Sequence, residues 1–229
     1  MDFYLLWVAF LLGIVEGVTE FLPVSSTGHL IVGAELLDFT GPSSKVFEIF
    51  IQLGAVFAVV VEYRKKILDT FIGIQTDKVA QDFTKNLIIA FIPAALLGFF
   101  FHSLIKLHLF NPIVVGIALI AGGILMIIIE KKLPNRPKVN VDKINKKQAI
   151  IVGMAQCFAL IPGVSRSAST IMGGLIGGLD RKTATEFSFF LAIPIIFAAS
   201  IFDLYSNIDI LNKSCLLYTS DAADDLLCV

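Results

Sequence analysis

The sequence predicts an all-α polytopic membrane protein, with transmembrane helices packed around two re-entrant helix-loop-helix hairpins in an inverted repeat. Three observations predict it: the composition, four long apolar stretches, and two further apolar stretches broken midway by Ser-rich polar loops. Of 229 residues, 56% are hydrophobic and 16% charged, with a mean hydropathy of +0.85, against roughly 25% charged residues in an ordinary soluble domain. Such a chain cannot cover its apolar surface with polar groups. A bilayer removes the difficulty, because about 20 apolar residues suffice to cross its hydrocarbon core. The net charge of −1 offers no basic face, so a nucleic-acid partner is not expected. Cys157, Cys215 and Cys228 have neither zinc-like spacing nor an even count, so no metal site or disulfide framework follows from them.

Taken in order, the clean spanning stretches are residues 46–61, 87–107, 113–129 and 187–204, the first short unless its flanks extend it. Residues 3–37 are interrupted by PVSSTGH at 23–29, and residues 149–179 by PGVSRSAST at 162–170. The N-terminal stretch lacks a basic leader and a small-residue cleavage site, so it is expected to stay in the mature protein. Lys and Arg cluster at 64–78, at 131–147 and at 181–182, and the positive-inside rule makes all three clusters cytoplasmic. The turn at 102–111, whose only Lys or Arg is Lys106, then lies outside. Residues 149–179 leave one cytoplasmic loop and return to another, so they form a re-entrant hairpin. By the same logic residues 3–37 enter from the outer face. Irregular backbone at membrane depth survives only when buried by protein or facing a wet cavity, so the two loops are expected to meet.

A shift of 140 positions lays GIVEGVTEFLPVSSTGH over GMAQCFALIPGVSRSAS, matching Gly13 with Gly153, Val24 with Val164 and Ser25 with Ser165, and setting Glu16 against Gln156. Residues 1–214 read as a single integral membrane domain. Residues 215–229, CLLYTSDAADDLLCV, break the pattern and are expected to be a non-native, adapter-derived tail that replaces one or two C-terminal spans.

Chemistry concentrates in the broken segments. Glu16 and Glu20 are four residues apart on the first helix, so both carboxylates share one face. An ionisable group at membrane depth costs about 2.5 to 3.5 kcal/mol on insertion scales, so the pair calls for a cation, a proton or water. Magnesium, with calcium as the other hard divalent ion, suits carboxylates that share it with phosphate oxygens. Ser25, Ser26, Thr27, Gly28 and His29 follow, three hydroxyls and an imidazole at the start of a helix, where unpaired N–H groups favour an anion. In the second loop Arg166 stands between Ser165 and Ser167, with Ser169 and Thr170 beyond. Its rigid fork of donors matches phosphate, or it pairs structurally with Glu16 or Glu20. Gln52, with Glu48 and Glu62 on or near one span, either lines a cavity or makes a helix-helix hydrogen bond, the latter favoured. His102 and His108 fall at the outer membrane edge.

EGVTEFLPVSSTGH at 16–29, together with PGVSRSAST at 162–170, resembles the undecaprenyl-diphosphate phosphatases, or bacitracin resistance proteins. The resemblance runs from the N-terminus to about residue 214 and departs only at the tail. It implies a bacterial inner-membrane enzyme that hydrolyses undecaprenyl diphosphate to the monophosphate carrier lipid used in peptidoglycan synthesis. It also implies that Glu16 and Glu20 are the acidic, metal-binding pair. Ser26, His29 and Arg166 become catalytic groups, with Ser25, Thr27, Ser165, Ser167 and Thr170 around the substrate. The nucleophile is His29, Ser26 or water. A homodimer is compatible with the sequence. Two rivals share these features: a polyprenyl-phosphate transporter or flippase, and an intramembrane serine hydrolase built on Ser26 and His29, for which no third orienting group is evident.

Overall fold

The computed structural model describes residues 3–40, 42–109, 111–134 and 136–206. The expected tail at 215–229 and the side chain of Lys106 lie outside the described residues. Within them the chain is helical, without strands: α1 (Phe3–Thr19), α2 (Ser26–Leu36), α3 (Pro42–Glu62), α4 (Arg64–Gly73), α5 (Lys78–Leu109), α6 (Pro112–Lys132), α7 (Lys146–Gln156), α8 (Arg166–Ile176) and α9 (Arg181–Ser206), with short 3-10 turns at Val141–Lys143 and Cys157–Leu160.

Three of these helices, α5, α6 and α9, are long and apolar enough to cross a membrane, with mean hydropathies of 2.2, 2.8 and 2.1. The fourth expected span, residues 46–61, falls inside α3. At 32 residues, α5 is about 48 Å long, well beyond the roughly 30 Å hydrocarbon core. Its polar first turns, KVAQDFTKN, carry it past the expected start at residue 87.

Both broken segments fold as helix-loop-helix hairpins. The α1–α2 pair packs around Val8, Leu12 and Leu30, and the α7–α8 pair forms the larger core with α5 and the first half of α9, around Phe83, Ala149, Val152, Leu175 and Phe187. Close approach between α7 and α5 depends on Gly153, where a Cβ would stand 2.8 Å from the carbonyl oxygen of Ala90. Small residues at helix contacts are the usual means of packing in lipid, where no hydrophobic force drives helices together. Val56 of α3 meets Ala192 and Ile196 of α9, joining the halves. The outward apolar residues, such as Trp7, Phe10, Ile117 and Ile120, face where lipid would be.

The three basic clusters share one end of the bundle. Lys66 pairs with Asp142, and Arg181 donates to Glu130, beside Lys131 and Lys132, at 2.6 Å. This is the arrangement that the positive-inside reading requires. At the same end Asp180 starts α9, accepting the Thr183 N–H at 3.2 Å and the Val139 N–H at 2.9 Å. Burial alone would push the Asp180 carboxyl up, but the Thr183 hydroxyl and the Val139 and Thr183 N–H groups together hold it below the ordinary Asp value.

Candidate active site

The first loop begins after Thr19, where α1 ends, passes through Pro23 and ends at Ser25, whose backbone takes φ 63° and ψ 95°. A non-glycine residue there carries roughly 1 to 3 kcal/mol of strain. Local bonds hold it: the Ser25 side chain accepts the Gly28 N–H at 3.4 Å, and its carbonyl meets Nδ1 of His29 at 2.9 Å. The second loop follows the same plan. Ser165 caps α8 by accepting the Ala168 N–H at 3.2 Å. Before it, Gly163 adopts φ +92°, and a Cβ there would stand 2.5 Å from the carbonyl oxygen of Val115, so only glycine fits. α2 and α8 have 11 residues each, and their bounds coincide after the shift of 140 seen in the sequence.

The two loops meet. The Ser167 hydroxyl donates to the Leu22 carbonyl at 2.6 Å, and Arg166 Nη2 donates to Glu20 Oε1 at 3.3 Å. The Ser26 hydroxyl donates to the other oxygen of Glu20. Arg166 Nη1 donates to the Ser188 carbonyl at 3.1 Å, and the guanidinium lies 6.0 Å from the Phe21 ring centroid. Thr170 and Ser188 share a hydroxyl-hydroxyl bond of 2.6 Å. Loop one therefore presents a carboxylate, loop two a guanidinium, and hydroxyls flank both.

A cavity of about 230 Å³ opens at this junction, lined from the first half by Glu20, Ser25, Ser26 and Thr27 and from the second by Ser165 and Arg166. Ile195, Ile196 and Ala199 of α9 supply an apolar wall, suited to the start of a lipid chain. A larger hollow, about 460 Å³ between Tyr63, Arg181 and Phe189, lies at the basic end and contains none of the sequence-predicted site residues.

The remaining expected residues stand elsewhere. Ser167 and Thr170 are fully buried and off the cavity wall; Ser167 ties the second loop to the first, and Thr170 ties α8 to α9. Glu16 is 1% exposed, and neither carboxylate oxygen has a hydrogen-bond partner among the described residues. It lies within electrostatic reach of Glu20, Glu48 and Arg166, and the Ser26 hydroxyl stands near it while donating to Glu20. His29 is exposed and off the cavity wall. Ser26 and His29 turn to different partners, Glu20 and the Ser25 carbonyl, so no Ser-His pair forms. His102 meets Asp203 at 3.6 Å and the Phe202 ring, and His108 bonds the Leu104 carbonyl of its own helix.

Two wall residues were not singled out by sequence as substrate groups, Gln52 and Gln156. The alignment of Gln156 with Glu16 was the signal that could have marked the second of them. Among the described residues no three His, Cys, Asp or Glu gather into a ready-made metal site. The buried Glu16 carboxylate, with both oxygens unpartnered, and Glu20 one turn away offer the hard oxygen donors that a divalent ion would take.

Comparison with known proteins gives one consistent family. The family described as bacitracin resistance protein BacA matches residues 9–223. The chain is 55% identical to an undecaprenyl-diphosphatase of Pseudomonas fluorescens over 205 residues, covering 90% of this chain and 74% of that protein. It is 52% identical to the undecaprenyl-diphosphatase of Ectopseudomonas mendocina and 52% identical to that of Nitrosomonas eutropha, each alignment covering 93% of this chain and 78% of the relative.

Proposed function

The chain belongs to the bacitracin resistance protein BacA family, and from that premise we propose the reaction its site performs. It hydrolyses undecaprenyl diphosphate to undecaprenyl phosphate and inorganic phosphate, recycling the carrier lipid for peptidoglycan synthesis and conferring bacitracin resistance. The observation that carries this reading is the Arg166–Glu20 junction inside a hydroxyl-lined cavity with one apolar wall. A diphosphate needs fixed donors, and a guanidinium fork with hydroxyls beside it supplies them. The apolar wall receives the prenyl chain.

We place the chain in the bacterial inner membrane, in keeping with the spans, the shared basic end and the reaction. Glu16 and Glu20 would hold a divalent cation, magnesium by preference, which when bound neutralises diphosphate charge. Ser26 is the better-placed nucleophile, since its hydroxyl already donates to Glu20. Attack of Ser26 Oγ on the terminal phosphorus breaks the bond to the bridging oxygen, Glu20 takes the hydroxyl proton, and undecaprenyl phosphate leaves. Water then hydrolyses the phosphoserine, and the proton returns to Oγ. Arg166 holds the non-bridging oxygens throughout.

A transporter or flippase is not favoured, because the relatives carry the name of a phosphatase at 52 to 55% identity over most of the chain. The experiment is direct. Purified protein in detergent, given a polyprenyl diphosphate and magnesium, is expected to release inorganic phosphate; a folded protein that releases none would sink the reading.

A further inference from the structure

We propose that Gln156 is a substrate-binding residue whose side-chain amide donates to an oxygen of the diphosphate. The assignment rests on the phosphatase reading of the same cavity. Gln156 ends α7, lines the cavity with Glu20 and Arg166, and is 1% exposed. Neither its Nε2 nor its Oε1 has a partner among the described residues. Buried polar side chains are bonded in the large majority of cases, and an unsatisfied amide is expensive. An amide shielded from water and left without a partner, in a residue that lines a reaction cavity, is one whose partner arrives with the substrate.

The chemistry of the partner follows from what is already committed around it. Ionised phosphate oxygens only accept, and the amide has two N–H donors to give. Arg166 gives one N–H of Nη1 to the Ser188 carbonyl and one of Nη2 to Glu20, which leaves three donors including an unpartnered Nε, and a diphosphate offers more acceptor oxygens than those three can fill. A neutral amide supplies them without adding charge to a wall that holds Glu20. The repeat sharpens the point, because the position equivalent to Gln156 in the first half is Glu16, equally buried and with both oxygens open. One half thus carries a carboxylate suited to a cation, and the other its neutral near-isostere suited to an anion. The repeat is symmetric in place and asymmetric in sign, and of the two positions it is Gln156 that reaches the cavity wall.

The test uses the full chain in detergent, phosphate release from a polyprenyl diphosphate, and thermal unfolding with and without inorganic diphosphate as the binding probe. Gln156→Met keeps the volume and removes the open polar atoms. It is expected to melt no lower than wild type, to raise KM about tenfold or more with kcat changed less, and to shrink the rise in midpoint that diphosphate gives. Gln156→Glu, which turns a donor into a repelling carboxylate, is expected to bind still more weakly. A Met variant with wild-type KM and diphosphate shift overturns the assignment. So does one that melts below wild type, since the amide would then be holding structure. A Glu variant that outperforms Met would mark a cation ligand and overturn it as well. Failure of the phosphatase reading looks different: wild type itself then releases no phosphate, and the assignment falls with it.

Discussion

Nη2 of Arg166 stands 3.3 Å from Oε1 of Glu20, closing a contact between residues 146 positions apart. The partners are 13% and 10% exposed, so removing one strands the other in a place water hardly reaches. Breaking such a pair costs about 3 to 5 kcal/mol. Arg166→Ala is therefore expected to lower the thermal midpoint as well as to abolish phosphate release. Arg166→Lys, which retains charge but not the fork, is expected to recover stability better than turnover. Equal recovery of both would show that charge alone suffices.

The carboxylate pair predicts a cation dependence. Glu16→Gln and Glu20→Gln are each expected to raise the magnesium concentration needed for half-maximal phosphate release by about tenfold, and chelation should silence the wild-type protein. A magnesium profile unchanged in both variants would remove the metal from this pair.

Ser26 and His29 separate by position. The Ser26 hydroxyl lies against Glu20 within the cavity, whereas His29 is exposed and off its wall. Ser26→Ala is expected to reduce kcat by about a thousandfold or more, as loss of a nucleophile does, and His29→Ala by about tenfold or less. Measured kcat values in the opposite order would transfer the role to the imidazole.

Gly163 sets the path of the second loop. At φ +92°, with the Val115 backbone against the missing Cβ, Gly163→Ala is expected to cost about 2 kcal/mol or more. Activity should fall with it, because Ser165 and Arg166 follow directly. A wild-type melting curve for this variant would contradict the geometry.

Asp180 gives an acid dependence remote from the reaction. Its folded carboxyl titrates below its unfolded counterpart. The stability it contributes is therefore complete above the ordinary Asp range and fades as pH falls through the lowered folded value. Asp180→Ala loses a helix cap and the tie to Val139, about 1 to 2 kcal/mol. Thermal midpoints of wild type and variant are expected to differ at neutral pH and to converge as the pH is lowered through that window.

Much of this arrangement was legible in the sequence, for identifiable reasons. Pro23 and Pro162 with their runs of hydroxyl residues cannot continue a spanning helix, and Ser25 and Ser165 are natural caps, so both hairpins could be read. Charge placement gave the shared basic end. Long-range geometry was less accessible. Nothing local distinguishes the outward face of α2, where His29 points, from the inward face that carries Ser26. An amide in an apolar helix reads first as a helix-helix hydrogen bond, so Gln52 was assigned away from the cavity it lines. α4 lay hidden in a basic connection because its residues, RKKILDTFIG, have no buried face.

The two glutamates one turn apart rest in opposite conditions. Glu20 has one oxygen engaged by Arg166 and the other by Ser26, while both oxygens of Glu16 are open. The resting protein is thus interlocked: guanidinium and hydroxyl each hold one oxygen of the same carboxylate. A diphosphate that draws the guanidinium onto its own oxygens releases Glu20 from it, so arrival of the substrate is what arms the carboxylate next to Ser26. A ligand with less charge competes less well for that fork, and the lipid monophosphate product, carrying fewer ionised oxygens, yields it back to Glu20 as it leaves.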